Sequence, residues 1–187
     1  MKVWRPLLTA FVAALALSGC TRVRATPAQI IFLRHAEKPA EGPELNARGW
    51  ERAKALATLF TQDARVLEHG PAVVIYAMKP GSARAVQTME ATARALHVPI
   101  KTKYTREQID DLVGAIEKPK AYDGKTVIVC WEHKKIPEML KAFGWTAGPK
   151  KWNDDTYDRL WVLDFEHGKP VRLRDLPQKL LPGDDKA

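Results

Sequence analysis

Cysteine is scarce in this chain: among its 187 residues only Cys20 and Cys130 carry a thiol. Two cysteines cannot build the multi-bridge framework of a small disulfide-rich secreted protein. Cys130 ends the apolar run 127–129, which predicts a buried and inert thiol. The fold must therefore rest on a hydrophobic core, for which the chain is long enough.

Signatures of several functional classes are also missing. The sequence has no His-Glu-x-x-His motif and no other evident cluster of metal ligands, so we expect neither a metal nor another cofactor. Basic residues outnumber acidic ones by 30 to 22, but they are scattered and no aromatic residues alternate with them. Nucleic acid is therefore not an expected partner, whereas anionic lipids or small anionic substrates fit a basic surface.

Residues 1–19 are predicted to be a targeting segment. They begin with basic residues and continue into an apolar stretch, 7–17, that is too short for a comfortable membrane span. Residues 17–20, Leu-Ser-Gly-Cys, are similar to a bacterial lipobox, which implies cleavage before Cys20 and lipid modification of its thiol. An ordinary signal peptide and an uncleaved anchor are the alternatives.

The lipobox resemblance implies a lipid-anchored protein of the bacterial cell envelope. Thr21 stands where lipoprotein sorting rules would require Asp for retention in the inner membrane, so the periplasmic face of the outer membrane is implied. Attachment through several acyl chains makes such an anchor stable. We expect residues 20–27 to be a short tether and residues 28–187 to be one monomeric domain. After removal of residues 1–19 the chain has 28 basic and 22 acidic residues, a net charge of +6.

Short apolar runs alternate with amphipathic stretches from residue 28 onward, which favours an α/β layer architecture. The segment 144–156 has no periodic pattern and predicts a loop, and the polar tail from residue 182 is expected to fray. Strands are predicted at 28–33, 73–76, 126–130, 160–165 and 171–173, and helices at 47–60, 82–96, 105–116 and 136–143.

The first predicted strand ends abruptly at Arg34 and His35, and residues 30–38 read Ile-Ile-Phe-Leu-Arg-His-Ala-Glu-Lys. Open α/β sheets carry reactive groups just past strand ends. An imidazole beside a fixed cation suits attack on a phosphoryl group, because the cation holds the anion and disfavours protonation of the ring. A chance Arg-His pair is the alternative, and the rest of the chain must decide.

Several segments in chain order resemble the histidine phosphatase superfamily, also called phosphoglycerate-mutase-like. They cover nearly all of the chain after the tether, which is more specific than any single motif. The resemblance implies a three-layer α/β fold with a mostly parallel central sheet, helices on both faces and a pocket at the strand C-terminal ends. The matching segments are 33–38, Leu-Arg-His-Ala-Glu-Lys; 45–49, Leu-Asn-Ala-Arg-Gly; 84–88, Arg-Ala-Val-Gln-Thr; 127–130 leading to His133; and 157–160, Tyr-Asp-Arg-Leu.

The resemblance also implies a metal-independent phosphatase acting on phosphomonoesters. His35 would attack phosphorus and become a phosphohistidine, while Arg34, Arg84 and His133 would surround the phosphoryl oxygens. Water would then hydrolyse the phosphohistidine. A phosphorylated anion is thus the expected partner.

The proton donor for the leaving group stays open. In mutase-like members a carboxylate follows the helix of the second arginine, and Glu107 occupies roughly that region. Glu132 is its rival, although strand alternation would point it away from His133 unless the strand has already ended. Glu37 either orients neighbouring groups or pairs with Lys38.

Two segments depart from the family pattern. Residues 76–82 replace the usual Ser-Ser-Pro, and residues 131–134, Trp-Glu-His-Lys, replace Gly-His-Gly, so we expect Trp131 and Lys134 to reshape the pocket rim. Two other functions remain as alternatives. One is a non-catalytic envelope lipoprotein that binds an anion or another ligand. The other is a phosphoprotein phosphatase, for example for phosphohistidine, which an open, shallow pocket would favour.

Overall fold

A mixed six-stranded sheet forms the centre of the protein in the computed structural model, which describes residues 26–79, 81 and 83–184. The predicted targeting segment, Cys20 and most of the tether lie outside the described residues. In the part of the chain that the structure describes, no helix is both long and apolar enough to cross a membrane.

The strands are arranged in the order β3-β2-β4-β1-β5-β6. The four strands β1 to β4 run parallel, β5 is antiparallel to β1, and β6 is antiparallel to β5. The predicted mostly parallel sheet is therefore confirmed. The strands are β1 Gln29–Arg34, β2 Ala72–Ala77, β3 Ile100–Lys101, β4 Thr126–Trp131, β5 Arg159–Glu166 and β6 Lys169–Pro177.

Helices cover both faces of the sheet, as predicted. Helices α1 and α2 pack on one face, and α3 and α4 pack on the other. Because successive side chains of a strand point to opposite faces, Ile30 and Phe32 of β1 contribute to one core and Ile31 and Leu33 to the other. The helices are α1 Ala47–Gln62, α2 Arg84–Leu96, α3 Ile109–Glu117 and α4 Ile136–Ala142.

The central strand β4 contains Cys130, which is fully buried. The predicted burial of this cysteine is therefore confirmed, and burial raises the pKa of its thiol. The hairpin predicted from the last two strands is also present. Its turn residues His167 and Gly168 both have positive φ values, 51° and 78°, as two-residue hairpin turns require.

Two local predictions are wrong. The helix predicted from residue 105 begins at Ile109, because the amide and hydroxyl of Thr105 donate to Gln108 Oε1, at 3.0 Å each, in a turn before the helix. The tail does not fray through residue 184. Asp184 is 5% exposed, and its carboxylate accepts hydrogen bonds from the amides of Leu180 and Leu181, at 2.9 Å each.

Candidate active site

The carboxyl ends of β1 and β4 bring two of the predicted site residues to the same edge of the sheet. These strands are parallel neighbours, with Arg34 paired to Trp131. The amide of His35 donates to the carbonyl of Trp131 at 3.3 Å, which extends the ladder by one residue. His133 follows the end of β4 by two residues, in a 3-10 turn.

His35 is almost completely buried, and the backbone carbonyl of the next residue orients its ring. Nδ1 lies 2.8 Å from the carbonyl oxygen of Ala36. A carbonyl only accepts, so this contact places the ring proton on Nδ1 and leaves the lone pair on Nε2. Burial lowers the pKa of His35 to about 4, and the charges of Arg34, Arg84 and His133 act in the same direction.

Arg34 is 2% exposed and is held by the loop that precedes β5. Nη1 donates to the carbonyl oxygens of Asp154 and Thr156, the latter at 3.1 Å, and the guanidinium carbon lies 3.8 Å from the ring centroid of Tyr157. Arg34 Nε is buried and makes no hydrogen bond to any described residue. Burial lowers the pKa of Arg34, although nearby negative groups oppose this shift.

Arg84 is the first residue of α2, where the helix dipole gives a cation no advantage. Its guanidinium donates to the carbonyl oxygens of Gly42 and Glu44, the latter from Nε at 3.3 Å. Its charge also acts on His35. The carbonyl oxygens of the loop at 42–44 therefore hold the Arg84 guanidinium in place.

His133 is buried between two carboxylates. Nε2 lies 2.8 Å from Asp154 Oδ1, and Nδ1 lies 3.1 Å from Glu132 Oε1 without the alignment of a hydrogen bond. Burial lowers the pKa of His133, while the hydrogen bond to Asp154 raises it. The structure thus places Arg34, His35 and His133 at one edge of the sheet, and the charges of Arg34, Arg84 and His133 all act on the His35 ring.

The two predicted acids occupy different surroundings. Glu107 is exposed, and its carboxylate lies 2.5 Å from Lys135 Nζ, an ion pair that holds the pKa of Glu107 below its usual range. Glu132 lies against His133, because β4 has ended at Trp131 and strand alternation no longer applies. Its other carboxylate oxygen accepts from Arg106 Nε at 3.2 Å.

The expectation for the pocket rim is wrong for Trp131. Its side chain is fully buried in the core beneath α3 and α4, because residues 127, 129 and 131 of β4 face that layer. Trp131 Nε1 donates to the carbonyl oxygen of Arg106 at 3.4 Å. Lys134, by contrast, is exposed beside His133.

Glu37 belongs to a buried ionic network rather than to a pair with Lys38. Its carboxylate accepts from Arg52 Nη2 at 2.7 Å and from Arg48 Nε at 3.2 Å. Arg52 also donates to Asp184 at 2.8 Å, so the network joins α1, the C-terminal tail and the segment after His35. Although burial alone would raise the pKa of Glu37, the hydrogen bonds from Arg52 lower it.

One group of possible metal ligands occurs in the described part of the chain, at the opposite end of β1. Glu68, His69 and Asp164 have ligand atoms within 4.8 Å of one another. Arg172 and Arg174 already donate to Asp164, at 2.7 and 3.1 Å, and both also pair with Glu68. Because arginines balance these carboxylates, the group does not fit a cation.

Sequence reasoning missed the contributions of Asp154 and the Arg52–Asp184 pair. Tyr157 belongs to one of the matching segments, but its contact with the Arg34 guanidinium has no signal in the sequence. Asp154 lies in the segment 144–156, whose pattern gave no signal. Its contact with His133 depends on tertiary structure alone.

No protein-family model and no curated protein sequence matches this chain. Solved structures do. The protein histidine phosphatase SixA complexed with tungstate is similar with a TM-score of 0.58 at 13% identity, over 80% of this chain and 97% of that one. A phosphoserine phosphatase mutant from Entamoeba histolytica in complex with phosphoserine is similar with a TM-score of 0.56 at 15% identity, over 82% of this chain and 98% of that one. A phosphoglycerate mutase from Plasmodium falciparum is similar with a TM-score of 0.53 at 18% identity, over 84% of this chain and 96% of that one.

Proposed function

Because the chain has the histidine phosphatase fold, we propose that it is a phosphatase that hydrolyses phosphomonoesters through a phosphohistidine on His35. One observation carries the proposal. The neutral ring of His35 keeps its proton on Nδ1, facing the Ala36 carbonyl, which leaves a lone pair on Nε2, and the charges of Arg34, Arg84 and His133 all act on this ring. This is the arrangement that nucleophilic attack on an anionic phosphoryl group requires.

The reaction then has two displacements. Arg34, Arg84 and His133 bind the phosphoryl oxygens and stabilise the charge that develops in the transition state. The lone pair of His35 Nε2 forms a bond to phosphorus as the bond to the ester oxygen breaks, and that oxygen takes a proton. Water attacks the phosphohistidine in the second step, releasing inorganic phosphate and returning the electron pair to Nε2.

Glu132 is our choice for the proton donor to the ester oxygen. It lies against His133, whereas the described ion pairs of Glu107 are with Arg106 and Lys135, outside the four site residues. Replacing Glu132 with Gln should slow the hydrolysis of esters with poor leaving groups more than the hydrolysis of p-nitrophenyl phosphate, because p-nitrophenolate leaves without a proton.

The proposal is tested by assaying the purified protein against a panel of phosphomonoesters, with and without a chelator. His35→Ala should lower kcat at least about a thousandfold, because the nucleophile is lost. His69→Ala, a substitution at the opposite end of β1, is the matched control and should leave kcat unchanged. Equal rates in His35→Ala and the unaltered protein would refute the assignment of His35 as the nucleophile. Phosphate binding without turnover of any substrate would support a non-catalytic binding protein.

A phosphoprotein substrate is a second candidate. The similarity in fold to the protein histidine phosphatase SixA, over 97% of that chain, supports this candidate. Including a phosphohistidine peptide in the same panel tests this candidate. A kcat/KM for the peptide above that of every small ester would favour it.

We also propose that the protein is anchored in the bacterial envelope through lipid on Cys20, on the periplasmic side of the outer membrane. The Leu-Ser-Gly-Cys segment at 17–20 supports this proposal. Cys20→Ser should move the protein from the membrane fraction to the soluble periplasmic fraction. Retention of the variant in washed membranes would contradict lipid anchoring.

A further inference from the structure

Asp154 places a negative charge of the chain itself in the candidate phosphate pocket. Its Oδ1 lies 2.8 Å from His133 Nε2, and its backbone carbonyl accepts from Arg34 Nη1. A carboxylate oxygen offers the same acceptor as a phosphoryl oxygen. Residue 154 therefore occupies a position that a phosphoryl group needs if it is to reach His133.

The surroundings of Asp154 are those of an anion site. His133 donates to the carboxylate, and the ammonium groups of Lys134 and Lys151 lie close enough to help lower the pKa of Asp154. Lys134 adjoins His133 in the 3-10 turn, and Lys151 precedes Asp154 in the same loop. An anion that replaces the Asp154 carboxylate would therefore meet the same positive groups.

The carboxylate can also leave this position at little cost. Its side chain is 56% exposed, so it returns to water without opening the core. The loop at 150–156 contains no helix or strand. Its local hydrogen bonds run from the Thr156 amide to the Asn153 carbonyl, at 3.2 Å, and from Trp152 Nε1 to the Thr156 carbonyl, at 2.9 Å, and neither involves the Asp154 side chain.

We propose, on the basis of the phosphatase function above, that Asp154 is a specificity-determining residue: a built-in competitor at His133 that a phosphoryl group displaces and a carboxylate ligand does not. A tethered carboxylate acts at an effective concentration of roughly millimolar or more, so a free carboxylate offering equal contacts cannot replace it. A phosphoryl dianion carries a second charge and three oxygens, so it can bind Arg34 and Arg84 in addition to His133, which a single carboxylate cannot match.

The experiment measures binding of inorganic phosphate and of acetate by calorimetry at pH 7, using the unaltered protein, Asp154→Asn and Asp155→Asn. Asp155 is the matched control, because it also acts electrostatically on Arg34 but makes no hydrogen bond to His133. If the competitor is bound about nine-tenths of the time, its removal tightens apparent phosphate binding about tenfold. Acetate binding should become measurable in Asp154→Asn alone.

The outcomes separate this inference from the proposed function. If the phosphate affinity of Asp154→Asn equals that of the unaltered protein or is weaker, the proposal that Asp154 competes with phosphate is overturned, while the phosphatase proposal stays intact. An equal gain in Asp155→Asn would also overturn it, because a general charge effect would suffice. Tighter phosphate binding in Asp154→Asn alone supports the inference even if no ester is hydrolysed, which would refute the phosphatase function. Thermal unfolding of each variant confirms that it is folded.

Discussion

A single backbone contact fixes the ring of His35, the proposed nucleophile. The Ala36 carbonyl fixes the tautomer. Burial, together with the charges of Arg34, Arg84 and His133, keeps the ring neutral. A protonated ring would have no lone pair for phosphorus. In the mechanism that we propose, the same surroundings would therefore bind the phosphoryl group and keep the His35 lone pair available in the neutral range.

The lowered pKa of His35 predicts a pH dependence of stability. Its folded value of about 4 lies below the ordinary value of 6.5, so the unfolded state takes up a proton first as the pH falls. Stability should therefore decrease between about pH 6.5 and pH 4. His35→Gln, which does not titrate, should lose less stability than the unaltered protein between pH 7 and 4.5 in urea unfolding. An NMR titration that gives His35 a pKa near 6.5 would contradict this account.

Residues with local sequence signals were predictable, and those that depend on distant parts of the chain were not. Arg34 and His35 end an apolar run, and Arg84 begins an amphipathic helix, so each belongs to a readable segment. Asp154 lies in a loop without periodicity and meets His133 only because the chain folds back to β5. No pattern within the loop could have revealed that contact.

Among the elements, β1 and β4 position the site because they are parallel neighbours with a shared register. Their long apolar runs made both strands predictable, since strands buried on both faces are almost wholly apolar. Strand β3 was not predicted, because it contains only two residues and is defined by its pairing with β2. Pairing is a tertiary property that a two-residue segment does not encode.

Helix α1 is fitted closely against the segment that follows His35. Asn46 caps the helix by accepting from the Gly49 amide at 2.8 Å, and the Asn46 amide donates to the Glu37 carbonyl at 3.0 Å. A Cβ at Gly49 would overlap the Glu37 carbonyl oxygen. The glycine in the matching segment 45–49 thus permits the helix to approach the site.

Gly49→Ala should consequently destabilise the protein by about 1–3 kcal/mol, as expected when a packed region is overfilled, and should weaken phosphate binding by displacing the segment after His35. Gly114→Ala in α3 is the control. A Cβ there meets Lys118 Nζ at an ordinary 3.5 Å, so the substitution should be neutral or stabilise by up to about 1 kcal/mol. Denaturant unfolding measures both effects, and an unchanged midpoint for Gly49→Ala would show that α1 can shift freely.

At the scale of the whole molecule, one buried ionic network joins parts of the chain that are far apart in sequence. Arg52 of α1 bridges Glu37, next to the site, and Asp184, in the C-terminal tail. Gln178 adds to this connection by accepting from Arg52 Nη1 at 3.1 Å and donating to the Tyr157 carbonyl at 3.1 Å. The polar composition of the tail indicated solvent exposure, but its charges are used inside the fold, which composition alone cannot reveal.

Removing the charge of Asp184 in the tail should therefore lower the unfolding free energy of the whole domain. Asp184→Asn leaves the buried Arg52 with only Glu37 as a charged partner, and breaking a buried pair in this way costs about 3–5 kcal/mol. The control, Asp175→Asn, removes an exposed partner of Arg159 and should cost less than about 1 kcal/mol. Urea unfolding at pH 7 distinguishes the two, and equal costs would contradict the network.

Acid should reproduce part of the Asp184→Asn effect. Burial alone would raise the pKa of Asp184, but hydrogen bonds from Arg52 and from two backbone amides lower it to about 2. The stability that this group contributes is complete above its ordinary value of 3.8 and is lost as the pH falls from 3.8 through 2. The difference in unfolding free energy between the unaltered protein and Asp184→Asn should therefore shrink over that range. If the difference stays constant down to pH 2, the Arg52–Asp184 pair does not connect the tail to the site in the way the structure indicates.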